Sequence, residues 1–162
     1  MDFIQKEWIA PCNDQCSFCF LNYSDVLQKN YLFKGLGKDE IGRIVKNIRH
    51  QAKKYAKDEI LAYSGDAYNR LYIIMEGSVV GEIVDFEGKV LRIEELSAPD
   101  AIAPAFLFGD SNRLPVNVTA SSDTRVLIIP REDLLQLLRK NEKVLENYLN
   151  SMSNREIGRA HV

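Results

Sequence analysis

The stretch LYIIMEGSVVGEIVDFEG (residues 71–88) decides the fold class of this chain. Two apolar runs rich in β-branched residues, Leu71–Met75 and Val79–Val84, flank the turn Glu76-Gly77-Ser78. A second turn, Asp85-Phe86-Glu87-Gly88, has glycine at its end, which is typical of a hairpin. Short strands with turns about every eight to twelve residues predict a sandwich or barrel of jelly-roll size. Further strands are predicted at residues 59–63, 90–96, 116–120 and 124–129.

A helical pattern precedes these strands. From Ser24 the apolar positions repeat at helical spacing until Gly35 and Gly37 interrupt them. Asp39 is predicted to cap the next helix. The opposite face of that helix carries a basic stripe that extends to Lys57 and that we expect to be solvated. The stripe comprises Arg43, Lys46, Arg49, Lys53 and Lys54.

A second helical region begins after Pro130, which is predicted to end the last strand. One helix is expected to open at residues 131–133, and Asn141 can cap another. In this last helix the apolar residues form a narrow stripe at three- and four-residue spacing, which favours a two-helix contact in a homodimer. The alternative is that the stripe packs back on the sheet of its own subunit. The residues expected to carry the pairing are Leu138, Leu145, Tyr148 and Met152.

Composition places the chain among ordinary globular proteins. Its 162 residues are 46% hydrophobic and 27% charged, and 21 Lys+Arg against 23 Asp+Glu give a formal net charge of −2. This balance argues against nucleic-acid binding by this segment alone, because counterion release needs a clustered basic surface. No apolar run reaches the ~18–20 residues that span a bilayer, and the first residues lack a signal-peptide pattern. We therefore expect a cytoplasmic protein without a membrane segment.

The sequence lacks the motifs of enzymatic chemistry. Its two histidines, His50 and His161, lie outside the predicted strands, whereas a metal-dependent cupin enzyme needs several histidines on strands. There is no phosphate loop, no nucleophile elbow and no Ser/His/Asp constellation. We therefore expect that the chain is not an enzyme.

Three cysteines, Cys12, Cys16 and Cys19, cluster near the start of the chain. Thiolates at this spacing suit an iron–sulfur cluster or zinc, both of which usually take four ligands. The fourth ligand stays open between Asp14, His50 and a partner. The alternative is three reduced thiols in a mobile tail.

The ordered set of elements resembles the sensor half of the cyclic-AMP receptor/fumarate–nitrate regulator (CRP/FNR) family of transcription regulators. The resemblance covers about residues 24–155, and Asp58 stands where this family usually has glycine. It implies a cupin-like double-stranded β-helix, or jelly roll, followed by a long dimerisation helix: mainly β with flanking helices. The matching segments are LFKGL (32–36), YAKDEI (55–60), SGD (64–66), LYIIMEGSV (71–79), GK (88–89) and VLIIPR (126–131).

The region that matches the family's ligand pocket departs from the family pattern. The resemblance implies a Gly-Glu pair and an Arg-Ser pair around the ribose and phosphate of cyclic AMP. Here Ala103-Pro104 stands in place of Gly-Glu, and Leu114-Pro115 fills the Arg-Ser positions. Arg113 comes one residue early, and strand side chains alternate, so we expect it to face the other way. Cyclic AMP is therefore not expected to bind with ordinary affinity.

This apolar loop leaves two interpretations open. It contacts a different, less anionic small-molecule effector, or its side chains fill the core. The residues expected to face an effector are Pro99, Asp100, Ala103, Pro104, Ala105, Arg113, Leu114, Pro115 and Val116.

The last residues predict that the chain is a fragment. EIGRAHV (156–162) interrupts the apolar stripe and matches the translation of a common sequencing adapter, so the natural frame is expected to continue past about Arg155. We expect a Cys-containing tail (1–23), a sensor domain (24–139) and the start of a dimerisation helix (140–155).

The resemblance implies that the missing part is a winged helix-turn-helix domain that binds DNA. The predicted function is thus the effector-sensing and dimerisation half of a transcription regulator. The alternatives are a stand-alone small-molecule-binding module and a redox or metal sensor that acts through the cysteines.

Overall fold

The computed structural model describes the backbone of residues 23–160 and the side chains of residues 24–154. The chain forms two compact units. Among the described residues, the helical unit combines residues 23–51 with 129–160, and the β unit comprises residues 52–128. The helices are α1 (Tyr23–Gln28), α2 (Lys38–Lys46), α3 (Arg131–Lys140) and α4 (Glu142–Ala160), with 3₁₀ turns at Tyr31–Phe33 and Pro104–Phe106.

Eight strands form two four-stranded sheets, with the orders β1-β8-β3-β6 and β2-β7-β4-β5. This confirms the predicted fold class of a mainly β jelly roll with flanking helices. The strands are β1 (Gln51–Tyr55), β2 (Ile60–Ala62), β3 (Arg70–Glu76), β4 (Ser78–Val84), β5 (Val90–Ser97), β6 (Ala101–Ile102), β7 (Asn117–Ala120) and β8 (Thr124–Pro130).

The hairpin of β4 and β5 has the turn that the sequence predicts. The antiparallel register runs from Ser78 opposite Ser97 to Val84 opposite Val90, with one irregularity after Gly81. Asp85 N donates to Lys89 O at 2.9 Å and closes the turn. The preceding turn needs glycine, because Gly77 has φ +91° and a Cβ there would lie 2.7 Å from Thr124 Oγ1.

The core of the β unit lies mainly on β3 and β8, whose apolar side chains are almost completely buried. Burial of this kind stabilises the fold by roughly 1.5–3 kcal/mol per large aliphatic side chain. The most buried of these residues are Leu71, Ile73, Ile74, Val126, Leu127 and Ile128.

The helical unit is held by a clamp between its two chain segments. Arg49 N donates to Asp133 Oδ2 at 3.0 Å, and Arg49 Nε donates to Asp133 Oδ1 at 3.0 Å. Hydrogen bonding and charge from Asp133 raise the pKa of Arg49. Asn141 caps α4 as predicted, since Val144 N donates to its Oδ1 at 3.1 Å.

Two helix predictions in the N-terminal half are wrong. Asp39 is not the cap of α2: Gly37 holds that position without a side-chain hydrogen bond, and Asp39 lies in the first turn. The basic stripe is not one helix face, because α2 ends at Lys46. Lys53 and Lys54 lie on β1 instead, an edge strand on which only Tyr55 is buried.

Candidate functional site

The loop between β5 and β7 holds all nine residues expected to face an effector. Its 3₁₀ turn begins at Ala103, which has φ 43° and ψ 49° and takes the N-cap position without a side-chain hydrogen bond. Pro104 and Leu114 are buried, whereas Asp100, Ala105, Arg113 and Pro115 are exposed or only partly covered. Pro99, Ala103 and Val116 are half-buried. The loop therefore turns only part of the predicted set inward.

Ala103 adopts a backbone conformation that favours glycine. Its φ is positive, as is that of Asp58 at φ 75°, and these are the only two non-glycine residues of this kind in the described part of the chain. Both stand where the family resemblance places glycine. A left-handed conformation costs an alanine roughly 1 kcal/mol relative to glycine. The turn thus keeps its shape without the residue that adopts that shape most easily.

A buried tyrosine ties the two sides of this loop to the segment between β2 and β3. Tyr68 donates its hydroxyl hydrogen to Ile102 O, and Tyr68 N donates to Asn112 O at 2.6 Å. The ring of Tyr68 is 3% exposed and stacks on Tyr72 with 6.1 Å between centroids. The sequence interpretation missed Tyr68, because it lies in a segment that reads only as turn.

Arg113 and Leu114 point to opposite sides of the chain. Arg113 pairs with Ala67 in an isolated antiparallel bridge, and its Nη1 donates to Gly65 O at 2.7 Å. Leu114, at the position where the resemblance implies arginine, is 2% exposed. The guanidinium therefore binds a backbone carbonyl, and an apolar side chain occupies the inward position.

The space beside Leu114 is small. Leu114, Tyr68 and Tyr72 line a cavity of about 70 Å³ together with residues of β2 and the turn after it. Ligand pockets are usually about 300–1,000 Å³, several times the volume of this cavity. Burial raises the pKa of the Tyr72 phenol, so its neutral form is favoured there.

The predicted dimerisation residues, Leu138 on α3 and the other three on α4, fall into two groups by burial. Leu138 and Tyr148 are buried within the chain, at 5% and 7% exposure. Leu145 is 37% exposed and Met152 is half-buried. Leu149, which the sequence interpretation did not include, is 56% exposed and lies four residues after Leu145. Among the described side chains of α4, the apolar residues with exposed surface are therefore Leu145, Leu149 and Met152.

The three predicted metal ligands, Cys12, Cys16 and Cys19, lie outside the described residues. Within the described residues, no group of three or more His, Cys, Asp or Glu side chains is placed to hold a metal ion. His50, a suggested fourth ligand, is 3% exposed, and its Nδ1 lies 2.9 Å from Ile48 O. None of the described helices is long and apolar enough to cross a bilayer.

The profile of the cyclic nucleotide-binding domain family matches residues 52–141, more than half of the chain. The matched span begins on β1 and runs to the cap of α4. The fold and this match define the class: the chain belongs to the cyclic nucleotide-binding domain family.

Individual relatives narrow this class. The cAMP-activated global transcriptional regulator CRP of Salmonella typhimurium is 29% identical over 102 residues, which are 63% of this chain and 49% of CRP. The chain thus spans about half the length of the curated relatives it matches. A solved transcriptional regulator from Thermotoga maritima is 32% identical with a TM-score of 0.66, covering 68% of this chain and 86% of that one. The domain is therefore of the CRP/FNR type, which confirms the family predicted from the sequence.

A further solved structure matches over most of the chain. The sensor domain of the transcriptional regulator DNR from Pseudomonas aeruginosa has a TM-score of 0.74, with 90% of this chain and 95% of that chain covered. Its identity of 18% shows the shared fold alone.

Proposed function

We propose that this chain is the effector-sensing and dimerisation half of a cytoplasmic CRP/FNR-type transcription regulator that does not respond to cyclic AMP. Membership of the family and the relatives' description as transcription regulators support the first part. DNA binding would be supplied by a helix-turn-helix domain outside the present sequence. An effector would act by changing how the two α4 helices pair, and thus how two recognition helices are spaced.

The buried position of Leu114 is the observation that supports the lack of response to cyclic AMP. Cyclic AMP brings a charged phosphate, and burying that charge beside an apolar side chain without a cation is strongly unfavourable. Arg113 is the nearest cation in sequence, but its Nη1 already donates to Gly65 O. Pro104 has no backbone N–H to offer at the start of the 3₁₀ turn.

Calorimetric titration of cyclic AMP tests this part. We expect no saturable binding at micromolar concentrations. A matched variant restores the family residues at the four altered positions, A103G, P104E, L114R and P115S, and is expected to gain binding if it folds. Micromolar binding by the unmodified chain would contradict the proposal, whatever the variant does.

Pairing through α4 is tested by sedimentation of charge variants. Leu145→Glu combined with Leu149→Glu places carboxylates on the exposed apolar residues and is expected to give monomers. Glu146→Lys is the control, because it changes the charge of the same helix at an exposed position. Unchanged self-association of the double variant would exclude this surface. Tyr148 is not a useful test, since its burial means that a charge there unfolds the chain.

The DNA-binding part of the proposal depends on the reading frame downstream of codon 155. Long-read sequencing of the locus is expected to reveal a frame that continues into a basic helix-turn-helix. A genuine stop codon after Val162 would instead leave a stand-alone binding or dimerisation module.

The cysteine cluster supports a second proposal, a metal or redox role for Cys12, Cys16 and Cys19. Protein purified without oxygen is expected to carry iron–sulfur absorbance or bound zinc. The absence of both would remove this proposal without affecting the first.

A further inference from the structure

A polar groove of about 490 Å³ lies within the helical unit, along α4. Its volume falls in the usual range of small-molecule sites. Every side chain that lines it is polar or cationic, and none is a carboxylate. The lining residues are Tyr31, Lys34, Lys143, Asn147, Asn150, Ser151 and Asn154.

The two lysines supply positive charge that no ion pair in the described part of the chain balances. Neither Lys34 nor Lys143 forms an ion pair with a carboxylate among the described residues. The stem of Lys143 lies against Gly35, since a Cβ added at Gly35 would be 2.9 Å from its Cε. Unpaired ammonium groups at a concave surface favour an anion.

Asn147 supplies a buried and oriented amide. It is 7% exposed, and its Nδ2 donates to Leu32 O at 3.0 Å and to Lys34 O at 2.8 Å. These two bonds fix the amide, so its Oδ1 remains an acceptor for a ligand. Asn150 and Asn154 add exposed amides on the same helix at three- and seven-residue spacing from Asn147. Amides both donate and accept, which suits hydroxyl groups.

We propose that this groove binds a small hydroxylated oxyanion, a sugar phosphate or a sugar acid. The ammonium groups of Lys34 and Lys143 would hold the phosphate or carboxylate, and the amides would hold the hydroxyls. The proposal does not depend on the function proposed above, because binding can be measured directly.

A second groove of similar size, in the β unit, shows why charge balance matters. It has a volume of about 480 Å³ but mixes Lys54 and Arg125 with three carboxylates. Those carboxylates are already engaged: Glu59 accepts from Ala56 N at 2.9 Å, Asp123 accepts from Lys57 N at 3.1 Å, and Glu76 lies 3.6 Å from Arg125 Nε. With three carboxylates against two cations, that groove carries a net negative charge and does not favour an anion.

The test is calorimetry of the chain with glucose 6-phosphate, gluconate, inorganic phosphate and glucose. We expect saturable binding of glucose 6-phosphate or gluconate, competition by inorganic phosphate, and no binding of glucose. Preference between the first two ligands decides whether the anion is a phosphate or a carboxylate. No saturable binding of any of the three anions at millimolar concentration overturns the proposal.

Variants locate the binding in this groove. K34Q combined with K143Q is expected to weaken binding about tenfold or more, since it removes both charge-assisted contacts. K29Q combined with K140Q removes the same charge at exposed positions outside the groove and should change affinity less than about twofold. Equal losses in the two double variants would show non-specific attraction and overturn the site. N150D, which adds a carboxylate at an exposed lining position, should also weaken binding.

Discussion

Apolar residues differ in burial between two regions, the loop between β5 and β7 and the helix α4. The loop turns Pro104, Leu107 and Leu114 inward until almost none of their surface is exposed. Helix α4 buries Val144 and Tyr148 but leaves Leu145 and Leu149 in solvent. The loop at the family's ligand position therefore packs these side chains into the interior, whereas α4 leaves part of its apolar surface exposed. Whether an apolar side chain of this chain belongs to the core or to the surface is thus decided by its place in the fold and not by its residue type.

Leucine-to-alanine substitution in the loop is expected to give the largest loss of stability. Leu107 is 0% exposed, so Leu107→Ala should lower the free energy of unfolding by about 3 kcal/mol or more through lost burial and a residual cavity. Chemical denaturation measures this loss. A loss below about 1 kcal/mol would mean that the loop is not packed as core.

The next largest loss of stability is expected when the hydrogen bond from the Tyr68 hydroxyl to the loop is removed. Tyr68→Phe keeps the ring but removes the hydroxyl that donates to Ile102 O, and should cost about 1–2 kcal/mol because that carbonyl is left unsatisfied. Tyr63→Phe is the matched control, since Tyr63 is 56% exposed and should be near neutral. Equal effects of the two variants would contradict a tether at Tyr68.

A glycine at position 103, in the turn with positive φ, is expected to raise the stability of the chain rather than lower it. Ala103→Gly is expected to stabilise the chain by about 1 kcal/mol, because glycine adopts positive φ without the cost that alanine bears. Ala105→Gly, two residues further on in the 3₁₀ turn, should destabilise by about 0.5–1 kcal/mol through added chain entropy. A thermal denaturation series compares the two, and the same sign for both would exclude the conformational explanation.

The smallest effect on the fold is expected on the exposed side of α4. Leu149→Ala should change the free energy of unfolding of the dilute chain by less than about 0.5 kcal/mol. Its effect should appear instead as weaker self-association in sedimentation experiments. A loss comparable to that of Leu107→Ala would show that Leu149 is covered within the chain.

Much of the β unit could be predicted from the sequence because its signals are local. The β4–β5 hairpin combines apolar runs with a glycine-ended turn, and the structure has that hairpin. β1 could not be predicted in this way, since an edge strand with only Tyr55 buried carries no alternation, and its lysines extend the charge pattern of α2. The cap of α2 was misplaced for a related reason: Gly37 fills it without any side-chain bond for the sequence to reveal.

In the candidate site too, features set by local sequence could be predicted, whereas contacts between distant residues could not. Strand alternation predicted that Arg113 would not point inward, and the bond to Gly65 O agrees with that. The tether from Tyr68 to Ile102 joins residues 34 positions apart, and the bonds of Asn147 reach 115 and 113 positions back. A single sequence holds no signal for such pairings, because each depends on how distant segments meet.

The clamp between Arg49 and Asp133 joins residues 84 positions apart, and the whole β unit lies between them in the sequence. Closing a loop of that length in an unfolded chain costs about 4 kcal/mol in entropy. Once the β sheets form, β1 and β8 are hydrogen-bonded neighbours, so most of that cost has already been met. We expect the two ends of the chain to assemble late in folding, after the strands between them have paired. On this expectation, formation of the Arg49–Asp133 clamp follows pairing of the strands that lie between the two residues in the sequence.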